Sequence, residues 1–148
     1  MKNQDKVDDK IKQDLFDAIE KLETLLEAFP DLIIFKDGRD RWINANQYAI
    51  TLFGLKETDY IGKFSAELVL VKPFFNEFFL SRYEEDQRIW ESRKLNRTEV
   101  SFSSQNGQYV TFDIISKPIY HQDGSRKALV IIGRDITEKK ELKKTTIT

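Results

Sequence analysis

The sequence predicts an α+β domain built on an antiparallel sheet. Three observations predict it: a helical apolar stripe near the start, an apolar/polar alternation around an Asn-Gly turn late in the chain, and a last strand apolar on both faces. Val100 and Phe102 alternate with polar residues before Asn106-Gly107, and Phe112 and Ile114 resume the alternation after it, the pattern of a hairpin. In Arg126–Ile136 the stretch Ala128–Ile132 is apolar at successive positions, so the sheet needs cover on both sides. Helices on one face and an N-terminal helix on the other would supply it.

The earlier elements follow in order. Ile11, Leu15, Ala18, Leu22, Leu25 and Phe29 recur at alternating spacings of three and four, an a/d stripe widened by Phe16, Ile19 and Leu26. Such a stripe packs on its own domain or pairs with the same helix of a second chain. Pro30 ends it. Two extended runs, Asp31–Lys36 and Arg41–Asn44, flank Asp37-Gly38 and read as a second hairpin. Asn46 then leads into a helix over Gln47–Phe53 with Gly54 as its C-terminal glycine. Short helical turns are expected from Lys56 to Val71. After Pro73 a long amphipathic helix takes Phe75, Phe78, Phe79, Tyr83, Ile89 and Trp90 as its apolar positions, and Glu84, Glu85 and Asp86 read as a solvated face. Thr137–Lys144 is helix-prone and charged, with Asp135 or Thr137 able to cap its first turn.

Composition excludes several chemistries. The 148 residues hold 24 basic and 25 acidic side chains, a net charge of −1, so no global field favours nucleic acid or an anionic membrane. The absence of cysteine removes disulfides, thiolate metal sites and a cysteinyl photoadduct, and a single histidine excludes a multi-histidine metal centre within one chain. No G-x-S-x-G elbow or glycine-rich phosphate loop is present, so the expectation is that the chain is not an enzyme. The charged N-terminus has no apolar stretch of the signal-peptide kind, and no apolar run reaches spanning length; a cytoplasmic location without direct membrane insertion is expected.

The order of helix, two strands, short helices, one longer helix and three strands resembles that of PAS domains. The segments that carry the resemblance are "PDLIIFKDGRDRWINAN" after the first helix, "YIGK" at Tyr60–Lys63, and "GRDITEKKELKK" at Gly133–Lys144 with its Asp-x-Thr triad, Asp135-Ile136-Thr137. Together they extend over roughly Thr24 to Lys140. The resemblance implies a five-stranded antiparallel sheet, with short helices and one longer helix on one face and the N-terminal helix on the other. It divides the chain into a tail and dimerisation or capping helix at 1–29, a sensory domain at 30–137 and the start of an output helix at 138–148.

It also implies a cavity between sheet and helices. Transferring the strand alternation gives as inward residues Val100, Phe102, Phe112, Ile114, Ser116, Leu129, Ile131 and Gly133, with Phe53 and Trp90 from the helices. Val130 and Ile132 would face the other side, beneath the N-terminal helix. Relative to photosensory flavin members, Ser65 stands at the adduct-forming cysteine and Gly133 at the flavin-contacting amide. Haem is disfavoured because the only histidine, His121, lies in a strand connection. Flavin held without an adduct is compatible with Trp90 and the phenylalanines, but few polar groups would read its edge. A small organic ligand, with Ser116 as its main polar contact, and a filled core without ligand both remain open.

The implied function is sensing and relay. The domain would pair as a homodimer through Ile11, Leu15, Ala18, Leu22 and Leu25. It would pass ligand binding or partner contact through Asp135 and Thr137 to a C-terminal effector of histidine kinase or diguanylate cyclase type. A ligand-free dimerisation or interaction module is the alternative.

Overall fold

A computed structural model describes residues 2–147 of the chain, with side chains described through Leu142. The ends of the expected outer segments, residues 1 and 148, lie outside the described residues. The chain forms two units that divide after Pro30. The first is α1, Lys2–Ala28, a 27-residue helix with no buried residue. Its apolar stripe is exposed: Ile11 is 59%, Leu15 59%, Leu22 60% and Leu25 57% accessible.

The second unit opens with the hairpin of β1 (Leu32–Asp37) and β2 (Trp42–Ala45). The helices α2 (Gln47–Phe53), α3 (Glu57–Tyr60) and α4 (Ser65–Val71), a 3-10 turn at Pro73–Phe75 and the long α5 (Asn76–Ser92) follow. The strands β3 (Asn96–Ser103), β4 (Tyr109–Tyr120) and β5 (Arg126–Asp135) complete the sheet, and α6 (Thr137–Ile147) leaves it. The sheet has five strands in the order β2-β1-β5-β4-β3, and each neighbouring pair is antiparallel. β5 is therefore central and pairs with β1, although one closes the sheet in sequence and the other opens it.

Local chemistry explains the connections. In the β1–β2 turn the Asp37 carboxylate accepts the N–H groups of Arg39 (2.9 Å) and Arg41 (3.0 Å) and pairs with the Arg41 guanidinium at 3.0 Å. Burial opposes ionisation of Asp37, but these donors outweigh it and hold its carboxyl below the usual range. Gly38 is required by close approach, because a Cβ there would stand 2.2 Å from the backbone oxygen of Arg126. Asn46 caps α2 by accepting from the Ala49 N–H, and the same oxygen accepts from Ile33 N while its amide donates to the Asp31 carbonyl. One side chain thus fixes both the start of a helix and the start of β1. Gly54 ends α2 in the left-handed conformation, φ 65°.

The core lies between the sheet and α2–α5. Leu32 and Ile34 of β1, Phe112 and Ile114 of β4, and Leu129 and Ile131 of β5 meet Ala49, Phe53, Tyr60, Leu68, Phe78, Phe79 and Trp90. Val130 and Ile132, on the opposite face, are half-buried. Two expectations for the long helix are corrected. Tyr83 is 53% exposed and does not join the core, whereas Asp86 is completely buried and does not belong to a solvated face.

Candidate functional site

The alternation that sends Leu32 and Ile34 into the core sends Lys36 there as well, 1% exposed. On α5, Phe79, Arg82, Asp86 and Ile89 fall on one face at spacings of three, four and three, and all four are buried. The Lys36 ammonium meets Asp86 Oδ2 at 2.5 Å and donates to Ser65 Oγ at 3.0 Å. The Trp42 indole N–H donates to the same Ser65 oxygen at 2.9 Å. Asp40, 4% exposed in the β1–β2 turn, places Oδ2 4.0 Å from the ammonium. Two carboxylates therefore face one lysine inside the fold.

Electrostatics separates the two carboxylates. Burial raises the Asp40 carboxyl from its ordinary 3.8 to about 7; Lys36 opposes the rise, and Asp86 adds to it by repulsion and by accepting a hydrogen bond from the acid form. The Trp90 indole also favours the ionised form, without reaching hydrogen-bond geometry. Burial also lowers the Arg82 guanidinium, against the pull of Asp86 and Glu85. Asp40 Oδ1, Asp86 Oδ1, Arg82 Nε and Trp90 Nε1 are buried without hydrogen-bond partners. Each such atom leaves a desolvation cost uncompensated.

Beside this cluster the core is aromatic. The Phe53 ring stands 5.0 Å from Phe78, 5.1 Å from Phe75 and 5.2 Å from Phe79, centroid to centroid, and Phe102 lies 5.7 Å from Phe112. Trp42 links the two regions through edge and tilted contacts with Phe53, Tyr60 and Phe79.

Most of the inward residues expected from sequence come together here. Phe53, Trp90, Phe112, Ile114, Ser116, Leu129, Ile131 and Gly133 are buried, and Val100 and Phe102 are half-buried against the core. A Cβ on Gly133 would touch Leu32 and Phe112, each at 3.4 Å, so this glycine faces inward. Ser116 is buried, and Lys36, Ser65, Asp40 and Asp86 are buried polar side chains in addition to it. His121 is exposed in the β4–β5 turn. Among the described residues no group of three or more histidine, aspartate or glutamate side chains is placed to hold a metal ion. No described helix is long and apolar enough to cross a membrane.

The second arrangement lies where β5 hands over to α6. Asp135 Oδ1 accepts from the Thr137 N–H at 2.9 Å and from its hydroxyl at 2.5 Å. Thr137 Oγ1 in turn accepts the Thr111 N–H at 2.9 Å, and the Ile136 N–H donates to the Thr111 carbonyl at 2.9 Å. Both backbone groups of Thr111 on β4 are thereby committed to the β5–α6 junction, one to Ile136 and one to the first residue of α6. Lys140 adds an exposed pair with Glu99 of β3 at 2.8 Å.

Comparison with known proteins agrees with this architecture. The profile of the PAS domain family matches residues 30–138. The aerobic respiration control sensor protein ArcB of Escherichia coli is 27% identical over 122 residues, covering 80% of this chain and 15% of ArcB. The match thus spans about a seventh of the length of that relative. Among solved structures, the Vibrio cholerae VqmA dimer superposes with a TM-score of 0.67 at 20% identity, over 82% of this chain and 52% of VqmA. VqmA has also been solved bound to DPO. The PAS domain of Bordetella pertussis BvgS superposes with a TM-score of 0.59 at 21% identity, over 88% and 94% of the two chains. From the profile match over most of its length, and from the sheet and helices that carry it, the chain belongs to the PAS domain family.

Proposed function

We propose that this PAS domain is the sensory and relay part of a larger signalling protein of sensor kinase type. A change in its core is passed through Asp135-Ile136-Thr137 to an effector beyond α6. The observation that carries this reading is the commitment of both Thr111 backbone groups to the start of α6. Thr111 directly precedes Phe112, whose ring is in the core, so a shift of β4 moves the helix start with it. ArcB similarity supports a kinase-type effector over a cyclase. Catalysis would reside in that effector, on the cytoplasmic side.

The exposed stripe on α1 supports pairing of two chains through Ile11, Leu15, Ala18, Leu22 and Leu25. A small organic ligand would lie among Phe53, Trp90, Val100, Phe102, Phe112, Ile114, Ser116, Leu129, Ile131 and Gly133, as the binding of DPO by VqmA suggests. The close aromatic packing around Phe53 favours the second reading, a filled core in a ligand-free interaction module. Native mass spectrometry of the purified chain separates the two: a co-purified small molecule supports sensing by ligand, and a bare mass supports the filled core. The relay is tested in the intact protein with Asp135→Ala. Altered output with the domain still folded supports it, and unchanged output refutes it.

A further inference from the structure

We propose that Lys36, Asp40 and Asp86 form a proton-binding site that holds the β1–β2 turn against α5 when occupied and loosens it when empty. This deepens the sensory reading, on which its signalling role rests, by naming the proton as a ligand. The geometry is that of a shared-proton site. Two buried carboxylates each keep one oxygen without a donor, and the Lys36 ammonium that both face is taken by Asp86 at 2.5 Å, leaving Asp40 at 4.0 Å. A proton on Asp40 turns it into a donor toward Asp86 and supplies the hydrogen bond both orphaned oxygens lack.

The groups facing Asp40 are Lys36 on β1 and Asp86 and Trp90 on α5. Arg82 lies one turn before Asp86, and Arg126 on β5 sits over the Trp90 ring at 5.3 Å. With Asp40 ionised, two carboxylates compete for one ammonium in a dry interior. The part free to respond is the turn itself. Asp40 holds a left-handed conformation, φ 68°, uncommon for a residue with a side chain, and Gly38 in the same turn lies against the Arg126 backbone. Loosening Asp40 therefore reaches β5, the strand that ends at Asp135.

The direction with pH follows from Asp40 binding its proton at about 7 in the folded chain and at 3.8 when unfolded. Between these values the folded state holds more protons. The stabilisation is complete below 3.8 and is lost as the pH rises through about 7. At most, the folding equilibrium changes tenfold per pH unit in that window.

The test uses the 148-residue chain, whose only two tryptophans, Trp42 and Trp90, both border the site. The carboxyl carbon of Asp40 is followed by NMR, and tryptophan fluorescence is recorded from pH 5 to 9, in the wild type and in Asp40→Asn, which keeps His121. The expected result is an Asp40 titration between pH 6 and 8 with a matching fluorescence step that Asp40→Asn abolishes. An Asp40 signal that stays ionised down to pH 5, or a step retained in Asp40→Asn, overturns the proposal. Should Asp40→Asn not fold, the wild-type carboxyl signal decides alone. Because the test reads Asp40 itself and not signalling output, failure here leaves the Asp135–Thr137 relay standing, and failure of the relay leaves this titration intact.

Discussion

Replacing Asp86 with alanine removes the carboxylate that Lys36 meets at 2.5 Å, with both side chains 1% exposed. Removing one partner of a buried ion pair typically costs about 3–5 kcal/mol, because the other charge remains desolvated and uncompensated. Two features place the loss near the lower figure. Lys36 keeps its hydrogen bond to Ser65 at 3.0 Å, and Asp40 stands 4.0 Å away, able to ionise as the new counter-charge. Asp86 is also one of the groups that hold the Asp40 carboxyl up near 7, so the same substitution should lower the Asp40 value toward the usual carboxylate range. Urea unfolding followed by circular dichroism gives the stability change, and carboxyl NMR gives the titration. The double substitution Lys36→Met with Asp86→Leu removes both charges and should be markedly more stable than Asp86→Ala alone. A loss below about 1 kcal/mol in Asp86→Ala, with no change at Asp40, would refute the ionic account of the core.

Other perturbations read different parts of the fold. Asn46→Ala removes the α2 cap and leaves the Ile33 N–H and Asp31 carbonyl without their partner, so a loss of about 1–3 kcal/mol is expected in urea unfolding. Phe53→Ala should cost about 3–5 kcal/mol, since the ring contacts Phe75, Phe78 and Phe79 and is fully buried; a loss under about 1 kcal/mol would mean the aromatic centre is loosely packed. Gly38→Ala should lower the melting temperature because its methyl group collides with the Arg126 carbonyl, whereas Gly107→Ala meets no atom within 4 Å and carries only the strain of φ 86°. Leu15→Glu with Leu22→Glu should convert a dimer to a monomer in light scattering, and an unchanged mass would exclude α1 as the pairing element.

The elements were legible wherever periodicity and turn chemistry spoke together. Asn106-Gly107 with its alternating flanks gave the β3–β4 hairpin, and the doubly apolar Ala128–Ile132 gave β5, which is central in the sheet. The inward set on β4 and β5 was readable because a strand has a period of two and Gly133 stays in phase with Leu129 and Ile131. The ionic cluster was missed for the opposite reason: its residues belong to types that usually lie outside. Lys36 is in phase with Leu32 and Ile34, and Asp86 is in phase with Phe79 and Ile89, so the spacing carried the signal that residue type concealed. What no spacing carries is their pairing. Lys36 and Asp86 are fifty residues apart, and only the packing of α5 on the sheet brings the charges together.

That pairing bears on why the core contains charge at all. A well-packed apolar substitute for a buried ion pair is often as stable or more so, so stability alone gives little reason for Lys36 and Asp86. An apolar contact also has no second state that a proton can select. The Lys36–Asp40–Asp86 group has one, because the number of charges on it changes when Asp40 gains or loses its proton. β5 connects it to the exit: Lys36 lies beside Leu129 in the sheet, and the same strand runs on to Asp135. Proximity along a strand is not evidence of coupling, which requires that both ends bias one equilibrium. The deciding measurement is a double-mutant cycle on output of the intact protein, with Asp40→Asn at one end and Thr137→Val at the other. A coupled strand makes the effect of Asp40→Asn depend on whether Thr137 is present. Additive effects would mean that the charge cluster sets only the stability of the domain and that the signal at Thr111 and Thr137 arises elsewhere in the core.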